Sequence, residues 1–182
     1  GYGGGGGIWI QDTYNFTLRN SKVINNKSYL MEGGGIGLET TYNTWLKNVE
    51  ITGNEGVMGG GVAAMNSDRL TLLNTTISDN ISSNAGGLYL HNSNEPRITN
   101  TIIQGNTSVS SGNSIILSST QLDDLELNFS NVDEGCIDNP VNGADFIDGN
   151  NNSCYNYASY WYSDAPLSHG HGDYQYSDAC FI

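Results

Sequence analysis

The sequence predicts an all-β fold, namely a right-handed parallel β-helix (a solenoid) of about five coils with an irregular C-terminal cap. The first observation is a motif that recurs four times: an aliphatic residue, any residue, Asn, two residues, Ile or Val, two residues and a second Asn. Successive copies are 28, 26 and 26 residues apart. The second is a glycine run ahead of each copy. A nearly fixed period of this length is typical of solenoids, in which each repeat packs on its neighbours.

Apolar residues after each glycine run alternate with a period of two, which predicts short strands. Two inward-facing columns are expected, Ile8, Ile36, Val62, Leu88 and Ile115, and Ile10, Leu38, Ala64, Leu90 and Leu117. The outward-facing residues between them are expected to be Trp9, Ala63, Tyr89 and Ile116. Crossovers between parallel strands are right-handed in roughly 98% of cases. The periodicity ends at Val132, so we assign residues 1–132 to the β-helix and 133–182 to a cap rich in tyrosine and containing the cysteines.

One asparagine of the motif occupies the same strand-ending position in every copy. The residues of this column are Asn20, Asn48, Asn74 and Asn100. Asn tolerates left-handed backbone conformations, and stacked amides can bond along a column. We therefore predict a structural asparagine ladder, with a row of ligand-binding amides as the alternative interpretation. Phe129 stands at the ladder position of the fifth, partial coil, where the ladder is expected to end.

The charge of the chain excludes several kinds of partner. The 182 residues include 19 acidic and 6 basic side chains, which gives a net charge of −13. Because no basic patch is present to neutralise a phosphate backbone, nucleic acid is not expected to bind. Anionic membranes and polyuronate chains would be repelled. No apolar run approaches the roughly 18 residues that span a bilayer, and the first residues do not form a signal-peptide pattern.

The glycine-run lines with their downstream Asn resemble the repeats of pectate-lyase-like right-handed β-helices. They are most similar to the polymorphic outer-membrane-protein type, whose Gly-Gly-Ala-Ile lines correspond to residues 34–36 and 86–88 here. The C-terminal part is similar to the ends of many secreted bacterial β-helix proteins, at residues 130–135, 172–174 and 177–182. The resemblance implies a fold, and its motifs specify no single activity.

Many β-helices that this chain resembles cleave polysaccharides, which requires convergent acid and base groups. A lyase needs a basic residue to remove a proton, and a hydrolase needs two or three carboxylates around one bond. Arg19 and Lys47 share a column where solvated side chains are expected, and Asp123-Asp124 is interpreted as part of a loop. The sequence shows no convergent set. It therefore predicts a non-enzymatic structural or adhesive protein, with a carbohydrate-active enzyme or a carbohydrate-binding module as the alternative.

The predicted cap contains two groups of metal-ligating side chains. His169 and His171 flank a glycine, but two imidazoles in an extended stretch seldom close a site without further ligands. Asp145, Asp148 and Asn150 offer hard oxygens in a turn, which suits calcium. Calcium is thus the candidate ion, and no cofactor is required by the sequence. The tyrosines of the cap are expected to cover the last coil, with a sugar-stacking platform as the alternative.

All three cysteines, Cys136, Cys154 and Cys180, lie in the predicted cap. That distribution suits a disulfide in an oxidising setting and predicts an extracellular or cell-surface protein. We expect a Cys136–Cys154 disulfide with Cys180 as the odd cysteine, and peptide mapping without reduction is the measurement that checks it.

The chain also carries sequons for N-linked glycosylation. They begin at Asn15, Asn26, Asn74, Asn80, Asn106, Asn128 and Asn151. Because Asn26, Asn80 and Asn106 share a column, glycans on them would line one edge of the stack.

The first predicted coil begins at the glycines before Ile8, and no segment in this sequence covers it. Open coil ends are normally capped. We therefore expect either further coils of a parent chain or a second protomer at this end. Repeated head-to-tail contacts of the second kind would produce a filament.

Overall fold

The computed structural model describes residues 4–29, 32–120, 125–133, 137–138 and 179–181. Within these ranges no helix is long and apolar enough to cross a membrane. The strands, in chain order, are β1 (Ile8–Gln11), β2 (Thr17–Ile24), β3 (Ile36–Glu39), β4 (Trp45–Thr52), β5 (Glu55–Met58), β6 (Val62–Met65), β7 (Thr71–Leu73), β8 (Thr76–Ser78), β9 (Ile81–Asn84), β10 (Leu88–His91), β11 (Arg97–Thr99), β12 (Ile102–Gln104), β13 (Thr107–Ser111), β14 (Ile115–Ser118), β15 (Glu126–Asn128), β16 (Asn131–Asp133), β17 (Ile137–Asp138) and β18 (Ala179–Phe181).

The strands form three sheets that run along one stack. The first sheet has the order β1-β3-β6-β10-β14-β17, and the third has the order β13-β9-β5. The second sheet has the order β15-β11-β7-β4-β8-β12-β16-β18, with β2 also paired to β4. The five equivalent residues that open β1, β3, β6, β10 and β14 stand in parallel register, one per coil. The predicted solenoid of about five coils is confirmed.

The hydrophobic core is a column of aliphatic side chains enclosed by the sheets. The predicted inward positions of coils 2 to 5 belong to it, and Ile36, Leu38, Leu88 and Leu117 are each 0% exposed. Aliphatic residues of the asparagine motif, such as Leu46, join them from the second sheet. Full burial of such a side chain contributes about 1.5–3 kcal/mol, so each coil stabilises the stack mainly through this column.

The outward-facing residues of the first sheet are more buried than outward positions usually are. Ala63 and Ile116 lie outside the core cluster, as predicted, yet both are buried. The turn that enters β6 is tight, since a Cβ added to Gly59 would lie 2.9 Å from the backbone nitrogen of Ala63. The Trp9 ring lies over Gly37, where an added Cβ would come within 2.5 Å of the ring.

The glycine runs are required by two different constraints. Gly59 has a φ of +64°, in the left-handed region that glycine adopts without steric cost. At Gly61 the constraint is space, because an added Cβ would lie 2.7 Å from the Gly87 carbonyl oxygen and 3.1 Å from the Asn80 side-chain nitrogen. The glycine run and the asparagine motif are therefore parts of one packing arrangement.

A buried asparagine ladder runs through the stack at the second Asn of the motif. Its members are Asn26, Asn54, Asn80 and Asn106. Both the backbone N–H and the side-chain amide of Asn54 donate to Asn80 Oδ1 at 2.9 Å, and Asn80 donates to Asn106 in the same way. The Asn80 amide also donates to the Ile51 carbonyl at 3.0 Å. Each buried amide thus satisfies backbone and side-chain groups of two coils.

This ladder contains three asparagines of the predicted sequons, Asn26, Asn80 and Asn106. Asn80 and Asn106 are 0% exposed, and Asn26 is partly buried with its amide bonded to Asn54. A glycan on the Asn80 or Asn106 nitrogen would need the space that neighbouring coils fill. In the folded stack these sequons are structural, and the sequence pattern alone does not distinguish the two uses.

Buried hydroxyl groups form two further files, that is, columns of equivalent side chains that run along the stack. In the longer one, backbone N–H groups donate to hydroxyl oxygens of the next coil at 3.0–3.1 Å, through Thr41, Ser67, Ser93 and Thr120. A shorter file connects Thr75, Thr101 and Ser130 in the same manner. Such side-chain bonds satisfy backbone groups at corners where no strand partner is available.

The two ends of the described stack differ. At the C-terminal end β17 adds to the first sheet, and β18 pairs with β16 in the antiparallel direction. At the other end β1 and β2 pair only with coil 2 among the described strands. Most of the predicted cap, residues 133–182, lies outside the described residues.

We predict that Asn80→Ala lowers the free energy of unfolding by about 3 kcal/mol or more. The substitution removes the acceptor for two N–H groups of Asn54 and leaves buried polar groups without partners, at about 1–3 kcal/mol for each group. Urea unfolding followed by circular dichroism measures the loss.

The matched control is Asn74→Gly in the exposed ladder. Glycine keeps the left-handed backbone at that position, and water replaces the lost amide bonds, so a loss of about 1 kcal/mol is expected. A loss at Asn80 no larger than the loss at Asn74 would contradict the structural role of the buried file.

Candidate functional site

The predicted ladder of Asn20, Asn48, Asn74 and Asn100 lies on the surface, where the second sheet bends. All four residues have left-handed backbones, with φ between 49° and 52°. Each side-chain nitrogen donates to the side-chain oxygen of the preceding coil, at 3.0, 3.1 and 2.7 Å along the stack. The predicted ladder is confirmed. Asn is suited to this corner because it enters the left-handed region more readily than other residues with a Cβ.

A groove follows this ladder along the stack, and we call it the ladder groove. One part, of about 410 Å³, is lined by coils 1 to 3, and a second part, of about 510 Å³, is lined by coils 3 to 5. Asn74 and Thr76 line both parts, so the two parts adjoin in coil 3. Residues that line it at the C-terminal end are Asn100, Ile102, Phe129 and Asn131.

Phe129 occupies the ladder position of coil 5, as the sequence predicts. Its backbone has a φ of +51°, and 83% of the residue is exposed. A bulky residue in the left-handed region is uncommon, because its Cβ is crowded there. The ring therefore stands in solvent at the end of the ladder groove, on a strained backbone.

Glu32 is a buried carboxyl group that the sequence did not single out. It precedes the glycine turn into β3 and is 7% exposed, and its Oε2 has no hydrogen-bond partner. Burial, and then the charge of Glu39, raise the pKa of Glu32 above the ordinary value of 4.5. A single glutamate before a glycine run shows no repeat or spacing that would mark it. Only the fold reveals its burial.

The outer face of the first sheet also carries aromatic side chains near this acidic region. The rings of Tyr89 and His91 stack with centroids 6.4 Å apart and an interplanar angle of 7°. His91 Nδ1 lies 3.1 Å from the Ser118 hydroxyl. Glu39 and His91 occupy equivalent positions two coils apart, with Met65 of the coil between them.

In the part of the chain that the structure describes, ion pairs connect neighbouring coils at four places. They are Lys22–Glu50, Lys27–Glu55, Arg69–Glu95 and Arg97–Glu126. The hydrogen bond that Lys27 donates to the Glu55 carboxylate raises the pKa of Lys27, which is exposed. Exposed pairs contribute little to stability. Arg19 and Lys47 stand in register and are exposed, in agreement with the predicted solvated column.

Several predicted site residues lie outside the described residues. They are Asp123, Asp124, Cys136, Asp145, Asp148, Asn150, Asn151, Cys154, His169 and His171. Among the described residues no group of three or more His, Cys, Asp or Glu side chains could hold a metal ion. Of the other sequons, Asn15 is exposed and accepts a bond from Asn43, and the Asn128 amide donates to Glu126.

The family model that describes the right-handed β-helix region matches residues 2–158. This match covers most of the chain and agrees with the parallel, in-register coils. The chain belongs to the right-handed β-helix family. No curated protein and no solved structure matches it. The match to this β-helix family therefore supports the fold and its handedness, and leaves the activity to be argued from the surface.

We predict that Glu32→Gln changes how the stability of this β-helix depends on pH. The folded state raises the pKa of Glu32, so it binds the proton more tightly than the unfolded chain does. This contribution is fully present below the unfolded pKa of about 4.5 and is lost as the pH rises through the folded pKa. The difference in unfolding free energy between variant and parent should therefore grow in favour of Gln as the pH rises from about 4 to 7.

Urea unfolding at a series of pH values gives this difference, in which the titration of the other carboxylates cancels. Glu39→Gln is the control, because it removes the neighbouring charge and leaves the burial of Glu32 in place. Parallel stability curves for the parent and Glu32→Gln would show that the carboxyl is not perturbed.

Proposed function

We propose that this β-helix is a non-enzymatic, extracellular structural or adhesive element. The observation that carries the proposal is the repetition of one polar side-chain type along each file. Amides bond to amides in two ladders, and backbone groups bond to hydroxyls in two further files. A catalytic centre needs different groups that converge on one bond.

A repeated surface suits a structural or adhesive task. Each coil presents the same groups about 4.8 Å further along the axis. The polar groups on one coil are bonded to the next coil, which gives a stiff rod with an extended surface. The position of the cysteines in the sequence supports an extracellular or cell-surface location. Labelling of intact cells with an antibody against the chain tests that location.

A carbohydrate-active enzyme is the second candidate, because of one observation on the first sheet. Glu32 has a raised pKa through burial, and the nearby Glu39 is exposed to solvent in part. Two carboxyl groups in different environments are the arrangement from which glycoside hydrolases draw an acid and a base or nucleophile.

We expect no new reducing ends and no unsaturated products when the purified chain is incubated with a panel of neutral and acidic polysaccharides. Reducing-sugar assays and ultraviolet absorbance at the wavelength of the unsaturated product measure the two reactions. Glu32→Gln and Glu39→Gln serve as controls for the alternative. Cleavage that both variants abolish while they remain folded would replace the structural proposal with a hydrolase.

The end of the stack at coil 1 is the surface that we propose for end-to-end contacts. Ile8, Phe16 and Leu18 pack against the core there but are only partly buried, whereas Leu46 in the next coil is 0% exposed. At the other end β18 occupies the edge of β16. The occupant of the coil 1 end is either another copy of the chain or further coils of a parent chain.

If another copy is the occupant, light scattering of the chain should show association that increases with concentration. Leu18→Lys places a charge on the coil 1 end and should keep the chain monomeric. Val109→Lys, at a residue that is 84% exposed elsewhere, should leave association unchanged. If the unsubstituted chain stays monomeric at high concentration, a second copy is excluded as the occupant of the coil 1 end.

A further inference from the structure

We propose that the ladder groove binds a neutral glycan chain that lies along the axis of the stack. This inference rests on the proposed adhesive role and names a ligand class for it. It concerns the bend of the second sheet, which is distinct from the region of Glu32 and Glu39.

The ladder amides keep hydrogen-bonding capacity for a ligand. An Asn side chain has two N–H donors and two acceptor positions on its oxygen. In Asn48 and Asn74 one donor and one acceptor are used by the neighbouring coils. The remaining donor and acceptor of each exposed amide can bond to a hydroxyl, which both donates and accepts. A sugar chain offers such hydroxyls along its length.

The spacing of these amides favours a linear ligand with a repeat. One amide occurs per coil, about 4.8 Å apart along the axis. Because Asn74 and Thr76 line both parts of the groove, the same strip continues from coil 1 to coil 5. A long polymer can therefore contact several coils at once, whereas a compact ligand would meet only one or two amides.

Phe129 supplies an aromatic surface at the end of the strip. Phe129 is 83% exposed, and Ile102 in the same lining is 41% exposed. An Asn at this position would avoid crowding in the left-handed region and extend the ladder. Backbone strain that persists at one position motivates a functional hypothesis. A flat ring with an open face suits the C–H face of a pyranose by apolar contact.

The charge of the groove selects a neutral ligand. The part near Phe129 is lined by amide, hydroxyl and apolar side chains without a charged group. In the other part Lys22 is paired with Glu50. The net charge of −13 would repel a polyuronate.

A peptide fits this groove less well than a glycan does. Extended peptides usually bind by adding a strand to an open sheet edge. The strands at the floor of the groove, such as β7, β8, β11 and β12, are already paired on both sides. Along coils 3 and 4 the groove therefore offers side chains and no free backbone edge.

The test uses the whole chain and soluble neutral polysaccharides, namely a β-glucan, a mannan, a xylan and a galactan. Polygalacturonate represents anionic polysaccharides, and an unfolded protein represents peptide ligands. Affinity electrophoresis screens the panel, and isothermal titration calorimetry measures the affinity for each polymer that retards the chain. At least one neutral polymer is expected to bind, and polygalacturonate and the unfolded protein are not.

The decisive variant is Phe129→Asn, which restores the ladder residue and relieves the backbone strain. It should keep or raise the stability in urea while lowering the affinity about tenfold, as expected for the loss of one aromatic contact. A merely structural role of the ring would give the opposite result, a loss of stability with unchanged affinity. Val109→Asn, at an exposed apolar residue of the third sheet, is the control and should change neither quantity.

The inference is overturned if the folded chain binds none of the neutral polymers. It is also overturned if Phe129→Asn binds as tightly as the parent, or if only polygalacturonate or protein binds. These failures would leave the structural role in place. Conversely, polysaccharide cleavage that depends on Glu32 would remove the non-enzymatic proposal without removing binding at the ladder groove.

Discussion

The hydrogen bond between equivalent asparagines of successive coils is the interaction on which the rest of this structure depends. Asn54 reaches Asn80 Oδ1 with both its backbone and side-chain nitrogen at 2.9 Å. That double contact fixes the height and the rotation of one coil on the next. In the exposed ladder the amides donate in the opposite direction along the stack, toward the preceding coil. The two files therefore hold neighbouring corners of a coil in one register.

This constraint explains why the chain is rich in glycine. The buried amide of Asn106 lies beside Gly87, where an added Cβ would be 3.1 Å from its nitrogen and 2.9 Å from Ile103 Cγ2. A side chain at that glycine would displace either the ladder or the core. The glycines that suggest a disordered chain by composition are thus the ones that allow close stacking. The high glycine content and the close packing therefore have the same physical cause, namely the short distance between the glycine turns and the buried asparagines.

The sequence predicted the fold and the exposed ladder because each depends on a period that every motif copy repeats. It did not predict the buried ladder, because Asn80 and Asn106 are each followed by a residue and then a hydroxyl, as in a glycosylation site. Whether such an Asn side chain points into the stack depends on how the backbone of the coil turns at that residue. The three-residue glycosylation motif does not encode that turn. Glu32 was missed for a related reason, since its burial depends on the fold and no repeat or spacing in the sequence marks it.

Repetition also indicates where individual function is to be found. A file of identical residues stabilises the stack, and a break in a file loses a coil-to-coil bond. The break at Phe129 also places a bulky ring on a left-handed backbone. A stack held by two asparagine ladders and two hydroxyl files can tolerate this local cost. Because the ladder alone does not explain the ring, and Phe129 lines a groove of amides, we propose a contact outside the chain as the physical reason for its exposure and its left-handed backbone.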